Sequence, residues 1–224
     1  MTAAGVFTSL RRHPSGVLLA VQLLGVLLYP LMEETGAGRV VFNAFGVLVL
    51  ALVLWVVVRS PTANWIAGLL AAPAVVFSML GAWGGPPQWL VWAQLLESAL
   101  YFYAAGGLIA YMLGDHQVTA DELVAAGATF TLLAWGFAFA YSACQILAPG
   151  SFVAAVDPQA ARSWMELLFL SFTTLSGVGL GDVLPIRPWA RALVMLEEFA
   201  GVMYIALVVS RLIGLTIVRS ERGG

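Results

Sequence analysis

Residues 173–182 read TTLSGVGLGD, with Gly177, Gly179 and Gly181 at alternate positions and Asp182 directly after them. In a soluble protein a G-x-G-x-G run can cradle a phosphate, provided that a strand precedes it and an amphipathic helix follows. The surroundings deny that context. The chain has 224 residues, of which 61% are hydrophobic and only 10% charged. Soluble domains carry about 25% charged residues, so this is the composition of a membrane protein. The net charge of −2 arises from 12 acids against 10 bases, and every base is an arginine, so no basic tail points to nucleic acid. The single cysteine, Cys144, excludes an internal disulfide and a cysteine-based zinc cluster, and reads as a small hydrophobe.

Working outward, six stretches are long enough to span a bilayer, whose ~30 Å core requires ~20 apolar helical residues. They are 15–32, 40–58, 65–83, 89–113, 122–147 and 188–218. Short joints separate them: EETGAGR, RSPTAN, GGPPQ and GDHQVTADE. In the last of these, Thr119 and Glu122 have the spacing of a capping box that opens the fifth span, and Pro188 suits the first turn of the sixth. Arg11 and Arg12 precede the first span, which lacks a small-residue cleavage site and reads as a retained helix. With both termini cytoplasmic, Arg11, Arg12, Arg59, Arg211, Arg219 and Arg222 lie inside and Arg39, Arg162, Arg187 and Arg191 outside, a modest bias in the expected direction. Trp65, Trp83, Trp89 and Trp189 stand at span ends, as in an interfacial belt, and small residues in the fourth and fifth spans suit close packing.

Between the fifth and sixth spans lies the anomaly, WMELLFLSFTTLS at 164–176. Thirteen helical residues reach only about 20 Å, too short to cross. An apolar segment that cannot cross, followed by glycines, reads as a re-entrant helix and loop. Bare backbone at membrane depth is tolerated only where protein buries it or where it lines a watery path. The glycines therefore expose carbonyls to a passing solute.

The same residues resemble the pore signature of the tetrameric potassium-channel superfamily, T-V-G-Y-G-D, with Val178-Gly179-Leu180-Gly181-Asp182 on V-G-Y-G-D. The following VLPIRPWARALVMLEEFAGVMYIALVVSRLIGL resembles the pore-lining helix of small bacterial channels, and the resemblance covers about 164–215. It implies an all-α membrane protein of six transmembrane helices, with a re-entrant pore helix and filter loop between the fifth and sixth. Residues 1–121 would form a four-helix peripheral domain and 122–224 the pore domain. The implied function is passive conduction of a monovalent cation, K⁺ first, in the plasma membrane (a bacterial inner membrane). The carbonyls of Gly177, Val178, Gly179 and Leu180 would be the ion ligands, with Gly181 completing the filter. Thr173, Thr174, Ser176 and Asp182 would support it, Asp182 through a bond to Thr173 or Thr174.

A dehydrated cation needs stacked rings of oxygen, and glycine adopts cheaply the alternating conformations that aim successive carbonyls one way. One copy of the motif per chain requires four chains around the ion, hence a homotetramer with lipid as its other partner. Two departures bear on selectivity. Gly177 stands where the family has Thr, which removes a hydroxyl ring and relaxes K⁺ preference, and Leu180 replaces Tyr opposite Phe169 and Leu170, an apolar exchange on both sides. The rival reading is a non-conducting scaffold or a regulatory subunit of another channel.

Gating candidates are Gly201, where the family has a hinge glycine, and the intramembrane acids Glu97, Glu197 and Glu198, since acids within a membrane span are costly enough to suggest function. Glu197 and Glu198 point about 100° apart on a helix, so one faces the pore and the other bonds behind the pore helix. Gln94, Tyr101, Gln22 and Asn43 are the polar neighbours expected for Glu97, and Glu166 complements the dipole at the start of the pore helix. No arginine occurs in 89–113, which excludes a voltage-sensing ladder, and no ligand-binding domain is expected after Arg219. An enzyme is not expected: no histidine follows Ser176 to act as base, the H-E-x-x-H pattern is absent, and the two histidines, His13 and His116, are far apart in sequence. No cofactor is expected beyond the permeant ion.

Overall fold

The computed structural model describes residues 14–33, 48–49, 51–53, 55, 64–114 and 120–222. Its elements are α1 (Pro14–Glu33), α2 (Asn64–Ala82), α3 (Pro87–Leu113), α4 (Ala120–Leu147), β1 (Phe152–Ala154), α5 (Trp164–Leu175), β2 (Val183–Pro185) and α6 (Pro188–Arg222). Each helix agrees with an expected segment to within a few residues, whereas the short antiparallel pair β1–β2 was not expected of an all-α chain. The span expected at 40–58 lies largely outside the described residues, although 48–49, 51–53 and 55 are helical. Thr119 of the expected capping box also lies outside them, as does Asn43.

Among the described residues, Trp65–Ala82, Pro87–Leu113 and Val124–Leu147 are long and apolar enough to cross a membrane. The protein is a mostly helical membrane protein. At twelve residues, α5 is apolar but rises only about 18 Å, well short of a ~30 Å hydrocarbon core. Trp83 and Trp189, near the ends of α2 and α6, are 86% and 77% exposed, as an interfacial position requires.

The chain divides into two compact units, residues 1–68 with 103–132, and residues 69–102 with 133–224. In the first, Leu18 and Gln22 of α1 are buried, and the Thr131 hydroxyl donates to the Gln22 side-chain carbonyl at 2.8 Å. Gly127 brings α4 close to α1, where a Cβ would approach Leu19 Cδ2 to 2.9 Å.

The second unit contains everything around the glycine run. Its α3 and α4 segments meet through Gly136, where a Cβ would approach Phe102 to 2.9 Å, and the Ser98 hydroxyl donates to the Gly136 carbonyl at 2.8 Å. The absent side chain is what permits the contact, as the small residues of this segment led one to expect. Tyr101 stacks on Trp135 at 5.9 Å, and Phe102 meets Phe137 edge-on at 4.8 Å. Trp135 and Phe139 of α4 then hold Trp164, the first residue of α5, at 4.8 and 5.8 Å.

Helix α2 ends on Gly84, whose φ of +88° is open to glycine and strained for other residues. The Gly84 amide donates to the Gly81 carbonyl and the Gly85 amide to the Leu80 carbonyl, the paired bonds of a Schellman stop.

Candidate ion pathway

The start of α5 is a closed polar system. Ser163 caps the helix, its hydroxyl accepting the Glu166 amide at 3.3 Å while the Glu166 carboxylate accepts the Ser163 amide at 2.6 Å. This capping box satisfies two of the amides that a helix start leaves without partners. Arg162, only 5% exposed, pairs with Glu166 at 2.9 Å and donates to the carbonyls of Val156, Asp157 and Ala160. The Gln145 side chain of α4 takes both backbone groups of Arg162, accepting its amide at 2.7 Å and donating to its carbonyl at 3.0 Å. Glu166 therefore has the structural role expected of it, and Arg162, expected only as an outer-face charge, is its buried partner.

The end of α5 is built differently. Ser176 is the C-cap, and Gly177 follows with a φ of +74°. The Gly177 amide donates to the Thr174 carbonyl at 2.9 Å, and the Val178 amide to the Thr173 carbonyl at 2.9 Å. That is a second Schellman stop, with Gly177 as its left-handed residue. Gly179 also donates to the Thr173 carbonyl, at 3.0 Å.

Beyond Gly177 the chain has no regular secondary structure, and Gly179 and Gly181 return to positive φ, +55° and +73°. The alternation expected of the three glycines is present. No Cβ added at any of the three would meet an atom within 4 Å, so backbone conformation, not space, favours glycine there. No carbonyl of residues 177–181 accepts a backbone hydrogen bond among the described residues. Val178 and Leu180, between the glycines, are 63% and 64% exposed.

The run is anchored at its far side. Val183–Pro185 pairs antiparallel with Phe152–Ala154, and Ile186 donates to the Ser151 carbonyl at 2.9 Å. Asp182 is exposed just before this strand, while the Thr173 hydroxyl donates to the Leu170 carbonyl at 2.9 Å. Within one chain, then, Asp182 is not tied to Thr173. The Ser176 hydroxyl reaches the Thr173 carbonyl at 3.2 Å, and Thr174 is buried. Leu170 is buried, whereas Phe169 is 40% exposed and Leu180 64% exposed.

Helix α6 begins at Pro188, as expected, and runs without a break through Gly201. A Cβ on Gly201 would fall on the Leu175 carbonyl oxygen. The glycine is thus a contact point for the end of α5, and α6 stays helical through it. The two adjacent acids separate as their 100° offset requires. Glu198 is exposed, whereas Glu197 is fully buried and bonded to the Tyr141 hydroxyl of α4 and the Ser171 hydroxyl of α5. Glu97 accepts a hydrogen bond from Ser78 of α2 at 3.1 Å. Gln22, named with it in the sequence, accepts a hydrogen bond from Thr131 within the other unit.

Five residues that matter here escaped the sequence: Arg162, Gln145, Ser163, Tyr141 and Ser171. One had a visible signal, because S-W-M-E at 163–166 has capping-box spacing ahead of an apolar run. The Tyr141–Glu197 and Ser171–Glu197 bonds join residues 56 and 26 positions apart, and no local pattern announces them.

Residues 124–217 match the family described as Ion channel, a family of channels and not of enzymes. The match takes in α4, α5, the glycine run and most of α6. No curated protein and no solved structure matches the chain.

Proposed function

With residues 124–217 matching the ion-channel family, we propose that four copies of this chain surround a pore and conduct K⁺ passively down its gradient. The observation that carries this reading is the glycine run: three left-handed glycines in alternation, with five successive carbonyls free of backbone partners. Carbonyls without partners are costly away from water, so at membrane depth these require an ion or water. One strand supplies one oxygen per level, and four strands supply a ring.

In this reading α5 is the re-entrant pore helix between two crossing helices, α4 and α6. Together with α3 and the three spans before it, they make six crossings and leave both termini cytoplasmic. The exposed side chains of Val178, Leu180 and Phe169 are covered by neighbouring copies, and Glu198 faces away from its own α4 and α5. Gly177 supplies a backbone carbonyl but no hydroxyl, which weakens the innermost level and relaxes the preference for K⁺ over Na⁺.

Reconstituted protein in a planar bilayer, with K⁺ on one side and Na⁺ on the other, tests this directly. A current with a reversal potential displaced toward K⁺ is the expected result, and native mass spectrometry should give a tetramer. A persistent monomer or dimer, or silence in the bilayer, would leave the chain as a scaffold or subunit of another channel.

A further inference from the structure

Glu197 lies fully buried where α4, α5 and α6 meet, and its carboxyl touches two hydroxyl groups, Tyr141 through Oε2 and Ser171 through Oε1. Ser171 Oγ is also 2.8 Å from the carbonyl oxygen of Ala134, on α4. Three hydrogen bonds therefore run in series, from Tyr141 to Glu197, from Glu197 to Ser171 and from Ser171 to Ala134. Each needs one proton. Tyr and Ser hydroxyls carry one each, and a backbone carbonyl carries none. The third proton has to come from the carboxyl group.

The groups around Glu197 agree with that count. Helix α4 faces it with Tyr141, and Cys144 lies one turn on with its sulfur toward Ser151. Helix α5 offers Ser171, its own acid, Glu166, being engaged with Arg162 at the far end. The neighbour on α6 is Glu198, another acid. No basic group is among its partners in the described residues, and a charge buried without a counter-charge is far costlier than a neutral acid that is fully hydrogen-bonded.

We propose that Glu197 is a protonated positioning residue, whose carboxyl proton completes a hydrogen-bond chain from α4 through α6 to α5 and so fixes the depth of the pore helix. The register explains why this position matters. Ser171 and Leu175 are four residues apart on α5, as Glu197 and Gly201 are on α6. Ser171 meets Glu197, and the Leu175 carbonyl meets Gly201. The two helices are thus joined by two successive rungs, one of hydrogen bonds and one of close backbone contact. The glycine run begins two residues beyond the second rung. Loss of the carboxyl proton would require both hydroxyls to turn toward the carboxylate, and Ser171 would release Ala134.

This inference rests on the channel reading for its flux measurement but not for its spectroscopic one. Full-length protein is reconstituted in liposomes as wild type, Glu197→Gln, Glu197→Ala, Ser171→Ala and Tyr141→Phe, and K⁺ efflux is followed at neutral and alkaline pH. Glutamine reproduces the neutral acid, with an N–H for Ser171 and a carbonyl for Tyr141. Its flux should stay within about twofold of wild type at neutral pH and, unlike wild type, should not fall as pH rises. Glu197→Ala leaves both hydroxyls without their partner and should lower flux about tenfold or more, with Ser171→Ala and Tyr141→Phe between. Infrared spectra of the wild type should show a protonated-carboxyl band that Glu197→Gln removes and Glu97→Gln does not. The proposal is overturned if no such band belongs to Glu197 at neutral pH, or if Gln is as damaging as Ala. If wild type itself does not conduct, the channel reading fails, and the band alone decides the state of Glu197.

Discussion

Helices α2 and α5 end in the same way and lead to opposite structures. Each closes with a left-handed glycine, Gly84 or Gly177, and the same two bonds from the glycine and its successor back to the last turn. After Gly84 the chain meets Pro86 and Pro87, and a new helix starts at once, with the Pro86 carbonyl accepting the Trp89 amide at 3.0 Å. After Gly177 no proline intervenes, and two more glycines at alternate positions return to positive φ and leave the carbonyls of 177–181 without backbone partners among the described residues. The helix stop is therefore common property of both loops. What makes one of them a candidate ion path is the continued alternation beyond the stop.

If so, the largest effect should come from the glycine outside the stop. Gly179→Ala puts a Cβ on a residue at φ +55°, which costs about 1–2 kcal/mol per chain and about four times that in a tetramer. The peptide should turn to relieve it, and efflux should fall to background while α5 remains folded by circular dichroism. Retained flux would show that the alternation is not what conducts.

Gly177→Thr comes next, and the structure changes what it should do. From sequence, a threonine here would add an oxygen ring and raise K⁺ preference. At φ +74° a β-branched residue is strained, although nothing lies within 4 Å to obstruct it. The variant should lose about 1–3 kcal/mol of stability, read as a lower melting temperature in detergent. Selectivity should improve only in whatever fraction of protein rebuilds the helix end. A stable variant with raised selectivity would mean that the Schellman stop is dispensable.

Gly84→Ala is the matched control. Its φ is also positive and its surroundings also open, so stability should fall by about 1–2 kcal/mol with the reversal potential unchanged. A shifted reversal potential would break the separation between the two loops. Gly177→Asn should be the mildest of the four, because Asn visits the left-handed region more readily than other side chains, and its cost should stay below about 1 kcal/mol. A penalty as large as that of Thr would show that Gly177 is needed for something other than its backbone angle.

Much of this was legible before any coordinates. Composition and run length place the chain in a membrane, and the thirteen-residue apolar run 164–176 is too short to cross whatever its neighbours do. Alternating glycines announce alternating backbone because they alone lack the Cβ that forbids it, and three positive φ values bear that out. Those properties are local, decided by a residue's own sterics and by the apolar content of a few turns. Four assignments were not local. Gly201 reads as a hinge, and the structure makes it the place where α6 admits the Leu175 carbonyl, because a missing side chain looks the same in sequence whether it allows bending or close approach. Arg162 reads as an outer-face charge and is buried among the carbonyls of its own loop. Glu97 accepts from Ser78, 19 residues away on another helix, a partner that no spacing singled out. Helical offset says that Glu197 and Glu198 must part, but not which turns inward. Only the packing of α4 and α5 against α6 decides it, because a buried acid takes the side on which hydroxyl groups from other helices replace the water it has lost.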